Sequence, residues 1–367
     1  MIITKWFKQE KNLLVALAIA VVAYVGEHSI LEMGQGTAMV AAVALIATIV
    51  LASMRVAHHA ETLAVKVGDP YGTMILTLSA VAVEVIILAI MMSGESSPTL
   101  VRDTIYAAVM LDINGILGLA ALLGGLKHGE QPYNDDSSRT YGVMILTAMG
   151  ISMIVPEFIP DAKWHYYSAF TIVAMIALYA LFLRMQVGRH SYFFSYSYPR
   201  TEKKLAAGEA EEHHEEESTT TSIVTILIGV VLIGVLAEFM SAFMDTGLKG
   251  TGAPPAIAAI VVAAISAAPE ILTALRAALR NRMQATVNIA LGASLSTVIL
   301  TVPVMEAIAL YTGQPFMMAM SPVQTVMVMI TLIVAAINLN DGETNAIEGM
   351  THFILFATFI MLTALGL

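Results

Sequence analysis

The stretch 73–92, TMILTLSAVAVEVIILAIMM, is membrane filling broken by one carboxylate, Glu84. A helix needs about 20 apolar residues to cross a ~30 Å hydrocarbon core, and runs of that length recur from one end of the chain to the other. Hydrocarbon offers no partner to a backbone N–H or C=O, so such runs must satisfy themselves as helices. Only 13% of the 367 residues are charged and 57% are hydrophobic, against roughly 25% charged in a soluble domain. The expected fold is therefore all-α and polytopic, with the lipid bilayer as its main surrounding.

Eleven spans are expected, at about 13–31, 36–54, 73–92, 104–126, 142–159, 166–187, 222–244, 255–278, 284–311, 322–338 and 350–366. The first has a basic start but no small-residue cleavage site after it, so it reads as a retained span and not a removed signal peptide. Lysine and arginine collect in cytoplasmic loops. With the N-terminus inside, 15 of the 18 fall on the cytoplasmic side, against Arg102, Lys163 and Lys249 opposite. This predicts a cytoplasmic N-terminus and an external C-terminus in the cytoplasmic membrane of a prokaryote.

Eleven spans divide as one extra helix, 1–34, and two sets of five, 35–190 and 222–367, joined by an acidic connector at 191–221. Five is odd, so the second set runs opposite to the first. Each set holds one acid deep in a span, Glu84 in the third span and Glu270 in the eighth. Inverted repeats with a polar site between them are a transporter architecture.

An ionised carboxylate at mid-membrane costs at least ~2.5 kcal/mol, so these acids must be neutral, paired or metal-bound. Two carboxylates are neutralised equally by two protons or by one divalent cation. Both loaded states can cross a hydrophobic barrier, and the empty dianion cannot, which is what an antiporter requires. Calcium takes six to eight oxygens; Glu84 and Glu270 would supply the charge, and Pro269 opens a backbone carbonyl. Further candidates are Asp112 and Asn114 in the fourth span, Ser266 beside Glu270, and Asn288, Ser294 and Ser296 in the ninth. Serine and threonine in such helices often bond back to their own backbone, so structural roles stay open for them, as a structural pairing does for either glutamate taken singly. Glu61 and Glu238, each after an alanine, and the pair His58–His59 are candidates for gating or pH response, or for solvated helix ends. Glu157 is expected at the interface. The tract 208–217, GEAEEHHEEE, reads as solvated, with weak calcium sensing as its alternative.

Cysteine is absent, so no disulfide or thiolate chemistry arises. HExxH, GxSxG and P-loop motifs are also missing, so no enzyme and no ATP motor is expected. Neither a cofactor nor nucleic acid is implied. The 24 methionines read as apolar fill. A passive cation channel and a calcium-sensing receptor are the readings outside secondary transport.

Five stretches carry a family resemblance: RVAHHAETLAVKVGDPYGTMILTLSAVAVEV, SPTLVRDTIYAAVM, SAAPEILTALRAALRNRMQ, LGASLSTVILTVPV and DGETNAIEGMTHFILFATFIM. They resemble the CAX calcium/proton antiporters of the calcium/cation exchanger superfamily, most nearly the bacterial ChaA-type branch. The resemblance implies eleven spans, an acidic connector, and one essential glutamate per repeat, at Glu84 and Glu270. It places Asn114, Ser294 and Ser296 at polar positions beside them. The family's Gly-Asn before each acid is replaced here by Ala80-Val81 and Ser266-Ala267, and Asp112 stands where many relatives have a small residue. The branch implies Ca2+ and H+ as the transported ions, with Na+ or K+ against H+ as the alternative.

Overall fold

The computed structural model describes residues 10–67, 71–93, 97–187, 191–194, 218–254, 256–314 and 316–367. Eleven helical stretches follow one another among them. They are α1 (Lys11–Glu32), α2 (Gln35–Val67), α3 (Tyr71–Ser93), α4 (Leu100–His128), α5 (Asp135–Phe158), α6 (Trp164–Val187), α7 (Thr219–Leu248), α8 (Ala256–Leu279), α9 (Met283–Thr312), α10 (Pro322–Asn338) and α11 (Ala346–Ala364). Ten are long and apolar enough to cross a membrane; α10, with 17 residues, is at the lower end of the ~17–25 needed. Val22, Val25, Val173, Ile337 and Ile354 are exposed on helix surfaces, the apolar exterior that lipid covers.

Local sequence explains where helices start. Asn134 accepts from the Asp136 N–H and Asn345 from the Ile347 and Glu348 N–H groups, while Ser321 and Gln324 form a reciprocal capping box on α10. These contacts satisfy first-turn N–H groups that have no helical partner. One expectation needs correction. The second span was expected to end near residue 54, yet α2 continues to Val67, a 33-residue helix about 50 Å long. Arg55, His58, His59 and Glu61 therefore belong to a continuous helix that packs along α7.

The pairing of helices follows a twofold pattern. With α2–α6 and α7–α11 as the two sets, the first helices, α2 and α7, pack on each other. The second helix of each set packs on the first of the other, α3 on α7 and α8 on α2. The third packs on the fifth of the other, α4 on α11 and α9 on α6. Exchanged partnerships of this kind are what inverted repeats produce. A two-residue antiparallel pair, Gln131–Pro132 with Glu343–Thr344, ties the loop after α4 to the loop before α11. Gln131 extends the clasp, donating to the Ala278 carbonyl at 2.9 Å and to Asn281 Oδ1 at 3.0 Å.

Small residues let α4 and α11 touch backbone to backbone, as membrane helices favour. A Cβ on Gly349 would lie 2.2 Å from the Leu122 nitrogen, and one on Gly125 2.3 Å from the Ala346 nitrogen. Elsewhere in the molecule, α1 is fastened by charge. Glu10 accepts from Arg55 at 2.7 and 2.5 Å and pairs with His59 at 3.0 Å, while His59 also reaches Ser222 of α7 at 3.3 Å. Burial alone would raise the Glu10 carboxyl, but the hydrogen bonds and charges of Arg55 and His59 outweigh it and hold it down at about 2.

Two outcomes are expected. Gly349→Ala forces backbone apart and lowers the detergent-solubilised Tm by several degrees, in line with overpacking costs of ~1–3 kcal/mol; an unchanged Tm overturns the close-contact account. Glu10 is depressed from an ordinary 4.5 to about 2, so its contribution is complete above 4.5 and disappears as pH falls towards 2. Wild-type Tm should thus drop more steeply between pH 5 and 3 than that of Glu10→Gln, which starts lower at pH 7.

Candidate functional site

The second and third helices of the two sets cross at the centre of the molecule, and their acids meet there. A cavity of about 30 Å³ is lined by Ala80, Val81 and Glu84 of α3, Ala108 and Asp112 of α4, Ser266, Ala267 and Glu270 of α8, and Ala293, Ser296 and Thr297 of α9. The alanines leave room for the carboxylates.

Each third helix is irregular where it passes the cavity. α4 contains a π-helical turn at Met110–Leu117, which carries Asp112, and α9 contains one at Thr297–Thr301. Such turns disturb the regular ladder and often mark functional positions. Pro303 follows the α9 turn and lacks an N–H, so a carbonyl of that turn loses its helical donor. Pro269 inside α8 likewise deprives the Ile265 carbonyl, four residues earlier, of its partner. Exposed carbonyls in a membrane are tolerated where they line a polar cavity.

Two of the acids are bonded across the two halves. Glu84 is 2% exposed, and its Oε2 accepts from Thr297 Oγ1 and Thr301 Oγ1, both at 3.0 Å. Asp112, equally buried, accepts through Oδ2 from Ser294 Oγ at 3.1 Å. One oxygen of each acid has no hydrogen-bond partner: Glu84 Oε1, Asp112 Oδ1 and Glu270 Oε2. Ser266 and Ser296 donate to carbonyls of their own helices, Ala263 at 3.0 Å and Ala293 at 2.9 Å, leaving hydroxyl lone pairs as acceptors. Among the described residues, no three His, Asp or Glu side chains stand close enough to hold a metal by themselves. A cation here would complete its shell from hydroxyls and backbone carbonyls.

Two expected ligands lie elsewhere. Asn114 faces away from the cavity, donating to Thr331 Oγ1 of α10 at 2.7 Å and contacting His352 Nδ1 of α11 at 2.9 Å through its Oδ1. It follows Asp112 by two residues, which turns it to another face of the helix. Asn288 donates to the Phe194 carbonyl at 2.8 Å and accepts from Gln284 at 2.9 Å, so it anchors a loop. Glu61 and Glu238 are exposed, and Glu238 borders a groove with Ile86, Ile90 and Gly234. His59 is buried in the Glu10–Arg55 cluster, with the His58 ring 5.7 Å away; the expected solvated pair is thus half wrong. Glu157 is exposed in the short turn Val155–Phe158. The tract 208–217 lies outside the described residues. Thr301 had only one sequence signal, its four-residue spacing from Thr297, which sets both on one helix face.

The family model for sodium/calcium exchanger protein matches the chain twice, at residues 37–188 and 221–365. The chain is 32% identical over 323 residues to a putative ionic transporter, y4hA, of Sinorhizobium fredii, covering 84% of each chain. It is 32% identical over 331 residues to the sodium-potassium/proton antiporter ChaA of Escherichia coli, covering 88% of this chain and 89% of the relative. The solved structure of native YfkE has the same fold, with a TM-score of 0.75 at 18% identity, over 96% of this chain and 99% of that one. Matched separately through both halves, this multi-pass membrane chain belongs to the sodium/calcium exchanger protein family.

Proposed function

We propose that the protein is a secondary active cation/proton antiporter that exports Ca2+ in exchange for H+. The observation that carries this reading is the set of three unpartnered carboxyl oxygens on Glu84, Asp112 and Glu270, all facing one cavity between the inverted halves. A hard divalent cation is attracted by several oxygens of mixed kind, and this cavity offers carboxylates, hydroxyls and carbonyls. Charge balance sets the exchange. Three acids that keep one proton among them carry two negative charges, which one Ca2+ or two further protons neutralise. Either loaded state crosses the apolar barrier and the empty one does not. The chemistry is binding and release, with no covalent step.

The excess of basic residues in alternate loops supports an internal N-terminus, with transport across a prokaryotic cytoplasmic membrane. The Escherichia coli relative, named as a sodium-potassium/proton antiporter, supports a second reading in which Na+ or K+ replaces Ca2+. One such ion would leave a negative charge on the paired glutamates unless a further proton or cation joined it.

Everted vesicles with an acid interior and a fluorescent pH dye separate these readings. Ca2+, Na+ and K+ are added singly to wild type, Glu84→Gln and Glu270→Gln. The expected result is that Ca2+ collapses the gradient in wild type, with the rate down about tenfold to a hundredfold in either variant, the loss of ~1.5–3 kcal/mol in a charged contact. A response to Na+ or K+ alone overturns the ion. Undiminished exchange in both variants overturns the site.

A further inference from the structure

α9 carries a buried acid that the cavity does not use. Glu306 is 1% exposed and stands just beyond Pro303, on the same helix as Thr297 and Thr301. Its partners are on α6, where Ser168 and Thr171, three apart and so on one helix face, are buried as well. Ser168 Oγ lies 3.3 Å from Glu306 Oε1, and Thr171 Oγ1 lies 2.5 Å from Oε2. Among the described residues no ion pair includes Glu306. Tyr167 is a titratable neighbour, and its hydroxyl donates to the Ile151 carbonyl of α5 at 2.7 Å.

Counting hydrogens sets the state of this acid. Thr171 Oγ1 also lies 2.9 Å from the Ser168 carbonyl, and a hydroxyl has one hydrogen to give. Beside an ionised Glu306, Thr171 would face two acceptors and could serve only one. A proton on Oε2 closes the circuit: Oε2 donates to Thr171 Oγ1, Thr171 donates to the Ser168 carbonyl, and Ser168 donates to Oε1. The neutral form also avoids placing a charge within a membrane helix. Glu84, Asp112 and Glu270 each keep one oxygen without a hydrogen-bond partner, whereas both oxygens of Glu306 are bonded.

The circuit lies close to the cation site along the chain. α6 packs against α9 on both sides of Pro303, touching the π turn Thr297–Thr301 and the segment Val302–Thr312. A π turn followed by proline has a weakened ladder of its own, so packing with neighbouring helices must orient its side chains. We propose that Glu306 is a positioning residue that keeps its proton through the transport cycle and holds α6 on α9, so that Thr297 and Thr301 stay aimed at Glu84. Its effect on transport rests on the antiport reading above; its proton rests on the hydrogen circuit alone.

The test uses the full protein in proteoliposomes, with the exchanged cation titrated at several pH values. Glu306→Gln puts an N–H donor where the acid has its O–H, so KM, Vmax and pH profile should stay within about twofold of wild type. Thr171→Val removes the central hydroxyl at nearly constant shape. It should raise the cation KM by about twofold to tenfold, the range for one neutral hydrogen bond, with Vmax little changed. Infrared difference spectra of wild type against Glu306→Gln, at the pH of the assay, should show a protonated-carboxyl C=O stretch lost in the variant. A carboxylate band lost instead, or a shifted pH profile in Glu306→Gln, overturns the retained proton. An unchanged KM in Thr171→Val overturns the positioning role, and so does a Glu306→Gln as impaired as Thr171→Val. Wild type in which no cation collapses the gradient overturns the antiport reading and the positioning role with it, while the infrared band still decides the proton.

Discussion

A carboxylate in hydrocarbon must find polar company or lose its charge, and the arrangement of this molecule follows from that demand. Glu84, Asp112 and Glu270 sit on three different helices, and the side-chain partners of the first two come from another helix. Glu84 takes its hydroxyls from α9 and Asp112 takes its hydroxyl from the same helix. Both therefore need the second half of the chain beside the first. α3, α4, α8 and α9 meet at the cavity, with α4 and α9 enclosed by the other helices while α3 and α8 keep an outer face with exposed Leu76, Leu78 and Leu272. The irregular turns of α4 and α9 and the proline of α8 fall where backbone groups face polar side chains, since lipid-facing positions would not tolerate them.

The twofold pattern gives this centre its two-sided character. Because each set has an odd number of spans, equivalent helices approach the cavity from opposite faces. A structure built so has two related ways to open, one towards each side, which alternating access requires. Tight glycine contacts between α4 and α11 contrast with the charged fastening of α1 onto α2 and α7. The first contact holds through shape and the second through charge, so the two respond to different perturbations.

Much of the fold was legible because membrane helices announce themselves by length and hydrophobicity alone. The tenth span, 322–338, coincides with α10 because Ser321 and Gln324 cap it and Pro322 opens it. The end of α2 was not legible: past residue 54 the helix becomes polar, and hydropathy cannot tell a protruding helix from a loop. Glu84 and Glu270 stood out in the sequence because an acid in such surroundings has few explanations. Asn114 and Asn288 looked equally suitable by type and depth, yet they face a neighbouring histidine and a loop carbonyl. A two-residue offset from Asp112 changes the face of the helix, but not the hydropathy that flags the residue.

The sequence by itself determined that the chain lies in a membrane, how many times it crosses, that its halves are opposed, and which acids are too costly to be idle. These follow from solvation energies that each segment carries wherever it packs. Only the tertiary structure decided that Thr301 bonds Glu84, that Asp112 joins the two glutamates at the cavity, and that Asn114 turns to Thr331 and His352 instead. Those facts depend on which helix face meets which across the two halves. Rotating one helix by a third of a turn would exchange them while leaving its hydropathy unchanged.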